Sequence, residues 1–148
     1  MALTTEQCEF IRAHPSAAMV TVAPDGVAKV ARVGVTLVDG ILWCSGTQSR
    51  VRTKRLRRDP RCTLFCFDDV FRWLALETRV TILDGPDALQ QSVRLFRTMQ
   101  KRPQGPLAWF DGELEEEAFL RAMVDEGRLI YQFEVDRCYG MTGSAGRD

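Results

Sequence analysis

The chain predicts a mainly β (α+β) fold, a small antiparallel β-barrel with helices at its periphery. Three observations carry that reading. Strand-like runs recur between residues 17 and 83, separated by the turn signals Pro24-Asp25-Gly26, Asp39-Gly40 and Asp68-Asp69. A charged helical stretch, Ser49–Arg58, interrupts them after the third run. Beyond Asp84-Gly85-Pro86 the apolar period changes to that of a helix, and a last alternating run returns the chain to a strand. Antiparallel runs, an inserted helix, a helical pair and a closing strand together describe a barrel.

Taken in order, Thr4–Ala13 reads as a short amphipathic helix with Phe10 and Ile11 on its apolar side, closed by His14-Pro15. Ala17–Ala23 and Val27–Val38 are strands joined by the first turn. Asp39-Gly40 is a hairpin turn into Ile41–Ser45, so the first three strands form a meander. After the charged helix come Cys62–Phe67 and the long run Phe71–Leu83, with Trp73, Ala75 and Glu77 on one face and Leu74, Leu76 and Thr78 on the other. Ala88–Met99 places Leu89, Val93 and Phe96 on one helical stripe. A second helix, Glu113–Asp125, starts with acidic residues that favour its N-terminus and is closed by Gly127. Arg128–Val135 is the final strand, and 143–148 reads as a frayed tail.

The chain has 148 residues, enough for one domain with a real core. Its 20 Lys and Arg balance its 20 Asp and Glu, whereas a general nucleic-acid binder carries a basic excess. No apolar run is long enough to span a bilayer, and the N-terminus lacks a signal-peptide pattern, so the expectation is a cytoplasmic protein. The five cysteines contain no C-x-x-C pair, and three lie in apolar runs, which reads as buried thiols of a reducing compartment. One histidine, His14, leaves no material for a His-based triad or a multi-His metal centre.

Positive charge is concentrated locally, in Ser49–Arg61. Ser49 is placed to cap the helix, Asp59-Pro60 stops it, and the first turn carries Arg50, Arg52 and Thr53. A helix N-terminus presents unpaired N–H groups and a partial positive charge, and guanidinium groups beside it make a phosphate seat. The plain alternative is a solvated basic helix. The strand–helix–strand setting favours a bound anion, and the zero net charge favours a small phosphorylated ligand over a polymer. Arg57, Arg58 and Arg61, further along, read as solvated or paired with carboxylates.

With these residues the chain resembles the split β-barrel flavin and deazaflavin oxidoreductases related to pyridoxamine 5′-phosphate oxidase, and most of all the actinobacterial branch that binds the deazaflavin coenzyme F420. The resemblance rests on the meander with its Asp-Gly turn, on Leu56-Arg57-Arg58-Asp59-Pro60-Arg61, on Trp73-Leu74-Ala75-Leu76-Glu77 and on Cys138-Tyr139-Gly140, and it spans roughly residues 5–141. It implies an FMN-binding type of split barrel that pairs into a homodimer with the cofactor at the interface. Carried over, the phosphate-bearing tail would meet Arg50, Arg52, Thr53 and Arg55. Ser45 and the backbone around Cys44 would lie beside the ribityl chain or ring, Gly34 and Val35 would pass under the ring, and Phe71 and Trp73 would come from the partner subunit. Two positions depart from the family pattern: Arg52 replaces Lys, keeping the charge and adding a bidentate fork, and Arg55 replaces Asn, adding bulk and charge.

The resemblance implies an oxidoreductase that moves a hydride between reduced coenzyme F420 and a small unsaturated or conjugated substrate. The alternatives are an FMN-dependent oxidase or reductase on the same fold, and a protein that holds the cofactor without turnover. A cofactor that carries the chemistry accounts for the lack of a poised acid–base pair, and no protein residue is assigned a catalytic role. Gly34 has the plain alternative of marking a bulge, and Trp73 that of a core or interface aromatic.

Overall fold

The computed structural model describes residues 1–143 of the chain. In chain order the elements are α1 (Thr5–Ala13), β1 (Ser16–Val22), β2 (Ala28–Val38), β3 (Ile41–Thr47), α2 (Val51–Arg58), β4 (Arg61–Phe67) and β5 (Trp73–Leu83). There follow α3 (Ala88–Gln100), β6 (Leu107–Trp109), β7 (Gly112–Leu114), α4 (Glu116–Asp125) and β8 (Arg128–Met141). Six strands close a barrel in the order β1-β2-β3-β8-β5-β4, every neighbouring pair antiparallel.

Local sequence chemistry explains most of the elements. Thr4 caps α1 in a reciprocal box with Gln7: each side chain bonds the other's backbone N–H, at 3.1 and 2.8 Å. Asp39 and Gly40 both adopt positive φ, 51° and 78°, the geometry a two-residue hairpin needs to follow the twist of its strands. Inward residues of all six strands fill the barrel, with Leu64, Leu76, Leu129 and Tyr131 fully buried. Each such apolar side chain contributes about 1.5–3 kcal/mol of burial. Outside the barrel, α3 lays Leu95 over Val38, Trp43 and Ile130. A third cluster joins α3, α4 and the small hairpin through Val93, Leu107, Phe119 and Met123.

Several features depart from the sequence reading. β8 runs to Met141 instead of Val135, because its last third pairs with β5 beyond a bulge at Glu77/Thr78 and is half-exposed, which erases the alternation. α4 starts at Glu116, since residues 112–114 belong to β7, a strand the sequence reading missed. Phe71 precedes β5 and stands in the loop. Gly34 marks no bulge: it pairs in register with Ser16. The tail expected over 143–148 lies, Gly143 apart, outside the described residues.

One irregularity of pairing positions the site. β2 pairs with β1 over Ala28–Gly34 but joins β3 only from Val35, opposite Cys44. β3 continues past that point bonded to β8 alone. The two strands therefore diverge into a fork. The Val35 N–H donates to Pro15 on the β1 side at 2.8 Å, so by alternation the backbone groups of Val30 and Arg32 aim into the fork.

Within the barrel, Gly46 of β3 lies against the Tyr131 ring, and a Cβ there would come within 2.8 Å of Tyr131 Cε2. Tyr131 is fully buried and its hydroxyl meets Thr53, so the ring has nowhere to go. Gly46→Ala should therefore cost about 1–3 kcal/mol of stability, read as a lower urea midpoint; an unchanged midpoint would show that the ring yields freely.

Candidate functional site

At the fork a cleft of about 780 Å³ opens between the start of β2, the end of β3 and the start of α2. The helix is fastened by its buried side. Thr53 and Leu56, one turn apart, are buried, and the Thr53 hydroxyl donates to the Thr47 carbonyl at 2.6 Å and meets the Tyr131 hydroxyl. Arg50, Arg52 and Arg55 line the cleft. The N-cap is Arg50, not Ser49 as the residue preference indicated; no side chain caps the helix, and Ser49 Oγ instead lies 3.5 Å from Thr47 Oγ1. The first turn holds no acidic residue, so its N-terminal charge is left unopposed.

Ion pairing divides the basic segment in two. Arg57 donates to Asp84 at 2.8 Å and to Gln48 at 2.9 Å, Arg61 pairs with Asp59 at 2.8 Å, and Arg58 donates to the Val22 carbonyl at 2.6 Å. Among the described residues Arg50, Arg52, Lys54 and Arg55 make no ion pair. Arg52 Nε is buried with no hydrogen-bond partner. A buried donor without an acceptor is costly, and an anion in the cleft would satisfy it.

Of the other expected site residues, Gly34, Val35, Cys44 and Ser45 meet at the apex of the fork, where β2 and β3 part. Val35 and Cys44 turn their side chains into the core and offer a ligand only backbone. Burial pushes the Cys44 thiol up to about 12 against the opposing charges of Arg52, Arg128 and Arg50. The close approach at Gly34 is made by Met99, whose Cε would lie 2.9 Å from an added Cβ. Thr53, expected among the ligands of the tail, is fully buried and spends its hydroxyl inside the protein, so its part is to hold α2. Phe71 and Trp73 do not line this cleft; Phe71 is 63% exposed, and Trp73 packs edge-on against Tyr139.

Sequence reasoning missed Lys29, Glu126, Arg128, Trp109 and Phe110. Lys29 lines the cleft from β2, and its signal was a cation in the same alternation as Val33, Val35 and Leu37. Arg128 bonds Glu126 Oε1 at 2.8 Å, approaches Ser45 Oγ at 3.5 Å and lies 5.0 Å over the Trp109 ring. Trp109 donates to Glu126 Oε2 at 2.8 Å, which ties the β6–β7 hairpin to the cleft's edge. Its tip, Phe110, is 81% exposed at a positive φ of 50°, unfavourable for an aromatic residue.

Residues 3–130 match the pyridoxamine 5′-phosphate oxidase family. The chain belongs to that family. No curated protein matches it. Among solved structures it is similar to the conserved hypothetical protein Rv2991 from Mycobacterium tuberculosis, at 20% identity and a TM-score of 0.72, covering 95% of this chain and 84% of the other. A protein described as F420 Reductase matches at 19% identity and a TM-score of 0.61, covering 88% and 94%. General Stress Protein 26 from Bacillus anthracis matches at 13% and 0.66, covering 95% and 94%. At such identities the likeness is one of fold. It places the six-stranded barrel within the split-barrel architecture of the family, as the resemblance in sequence implied.

The thiols give a check on the interior. Burial pushes Cys44, Cys62 and Cys66 each up to about 12, so near pH 8 all three stay protonated and weakly nucleophilic. Iodoacetamide should leave them unmodified in the native protein and reach them only on unfolding, by peptide mass mapping. Alkylation of native Cys44 would show that the fork apex opens to solvent.

Proposed function

We propose that the protein is a coenzyme F420-dependent oxidoreductase acting on a small unsaturated or conjugated organic molecule. The unpaired cations of the cleft, with the orphaned Arg52 Nε among them, carry this reading. They fit the phosphate-bearing tail of the coenzyme, and the backbone at Gly34–Val35 and Cys44–Ser45 fits the edge of its ring system. When bound, the deazaflavin would supply or accept the hydride.

The chain's own part is binding and orientation. Arg50, Arg52 and Arg55 hold the tail, Thr53 fixes the helix that carries them, and the backbone at the fork apex borders the ring. A family member that binds FMN, as an oxidase or reductase, is the alternative. The charge count favours the deazaflavin, because a single phosphate monoester is a dianion and the cleft offers more cations than it can balance. The two separate on purification. From a host that makes only FMN the protein should emerge colourless and then bind added coenzyme F420 with a change in its fluorescence. Stoichiometric FMN retained through gel filtration would decide for the alternative. Binding of F420 with no turnover of any unsaturated acceptor would favour a cofactor-holding protein.

The same reading proposes a homodimer whose partner completes the cleft. Phe67, Val70 and Phe71 are 51%, 75% and 63% exposed, next to half-buried Phe65, Trp73 and Tyr139. The corner that presents them is braced by Asp68, which accepts the N–H groups of Val70 and Arg72 at 2.9 Å each and Arg72 Nε at 2.7 Å. That pairing with Arg72 holds the Asp68 carboxyl down to about 2. Phe71→Asp should yield a monomer by analytical ultracentrifugation and abolish cofactor binding. A dimer that persists, or a monomer that binds unchanged, would reject the shared cleft.

A further inference from the structure

We propose that Lys29 is the opposite wall of the anion seat, so that a polyvalent anion bridging Lys29 and the Arg50–Arg52 turn clamps the β1–β2 ribbon to α2. The inference rests on the reading of the cleft as a phosphate site and adds to it a second wall, a mechanical consequence and a ligand charge.

Three independent observations support it. The inward positions of β2 otherwise carry Ala31, Val33, Val35 and Leu37, and Lys29's cross-strand neighbour Thr21 is buried. A cation in that alternation is tolerated because β2 has parted from β3 at the fork and this end of it faces the cleft. Second, nothing within the cleft neutralises it. Glu126 is the one acidic residue lining the space, and both its oxygens are taken, Oε1 by Arg128 and Oε2 by Trp109. Lys29, Arg50, Arg52 and Arg55 therefore share one cleft without a counter-charge among the described residues, and they repel one another across it.

Third, the end of the ribbon is weakly held. Ala28–Gly34 bonds only to β1, and β1 pairs with β4 only over Ala17–Val20, so Thr21–Val22 with Ala28–Lys29 extend past it as a two-stranded end, which is marginal in water. α2 already grips one end, through Arg58 and the Val22 carbonyl. An anion between Lys29 and the helix start would add a second tie, on the cleft side. Two walls of cations match a pyrophosphate-like group, or a phosphodiester continued by carboxylates, better than one phosphate monoester.

Calorimetric titration of the full chain with inorganic pyrophosphate tests the clamp without any ring chemistry. Lys29→Gln and Arg52→Ala should each weaken binding about tenfold, while Lys29→Arg stays within about twofold of the parent. Arg61→Ala, exposed and paired with Asp59, should change nothing. Pyrophosphate should also slow amide exchange over residues 28–31 in the parent and not in Lys29→Gln. Weakening by Arg52→Ala without weakening by Lys29→Gln would overturn the clamp and leave the anion seat in place. No measurable binding by the parent chain would overturn both, and equal weakening by Arg61→Ala would reduce the effect to general charge.

Discussion

How a short basic helix can hold three arginines toward one cleft depends on the buried contact between Thr53, the Thr47 carbonyl and the Tyr131 hydroxyl. Thr53 Oγ1 reaches both, from a position with no solvent exposure, and so joins α2 to β3 and β8 at once. Burial raises the Tyr131 hydroxyl above its ordinary value, against the Thr53 hydrogen bond and the nearby charge of Arg52, so it stays protonated within that contact. Leu56, one turn on, completes the buried side of the helix. With that side fixed, helical spacing alone delivers Arg52 and Arg55 to the cleft. The uncompensated charge that results costs stability; fastening the helix to the barrel is what lets the fold carry it.

The fork supplies the other half of the arrangement. β2 is eleven residues long and β3 seven, and their ladder covers only the hairpin end. Where the ladder stops, backbone groups of β2 face the cleft in place of a neighbouring strand, which an open sheet edge would otherwise leave to water. The proposed ligand site and the structural irregularity thus coincide: the split in the barrel exposes polar backbone, and the adjoining helix supplies charge.

Much of this was legible in the sequence because it rests on local chemistry. The Asp39-Gly40 turn, the Asp59-Pro60 stop and the alternation of β1 to β5 are short-range signals, and the structure follows them. The division of the basic segment into a free first turn and paired later arginines was also anticipated from helical position. What escaped depends on partners distant in the chain. Ser49 is the better capping residue by type, yet the chain path makes Arg50 the cap. Lys29 looked like any polar residue beside a turn until the fork placed it across from α2. The β6–β7 hairpin turns at Phe110, a residue with no turn propensity, because Trp109 is anchored to Glu126 and packed against Phe96 and Phe119. Arg128 gained its position from that same tertiary network.

The cleft at the fork is proposed as the seat of a phosphorylated redox cofactor. A crystal structure of the protein with coenzyme F420 tests it most directly. A phosphate oxygen is expected within about 2.7–3.2 Å of Arg50 or Arg52 nitrogen atoms, and the ring edge beside the backbone of Val35 and Ser45. Coenzyme bound instead in the groove between α1, β2 and α3, against Thr36 and Met99, with Arg52 Nε still unpartnered, would contradict it.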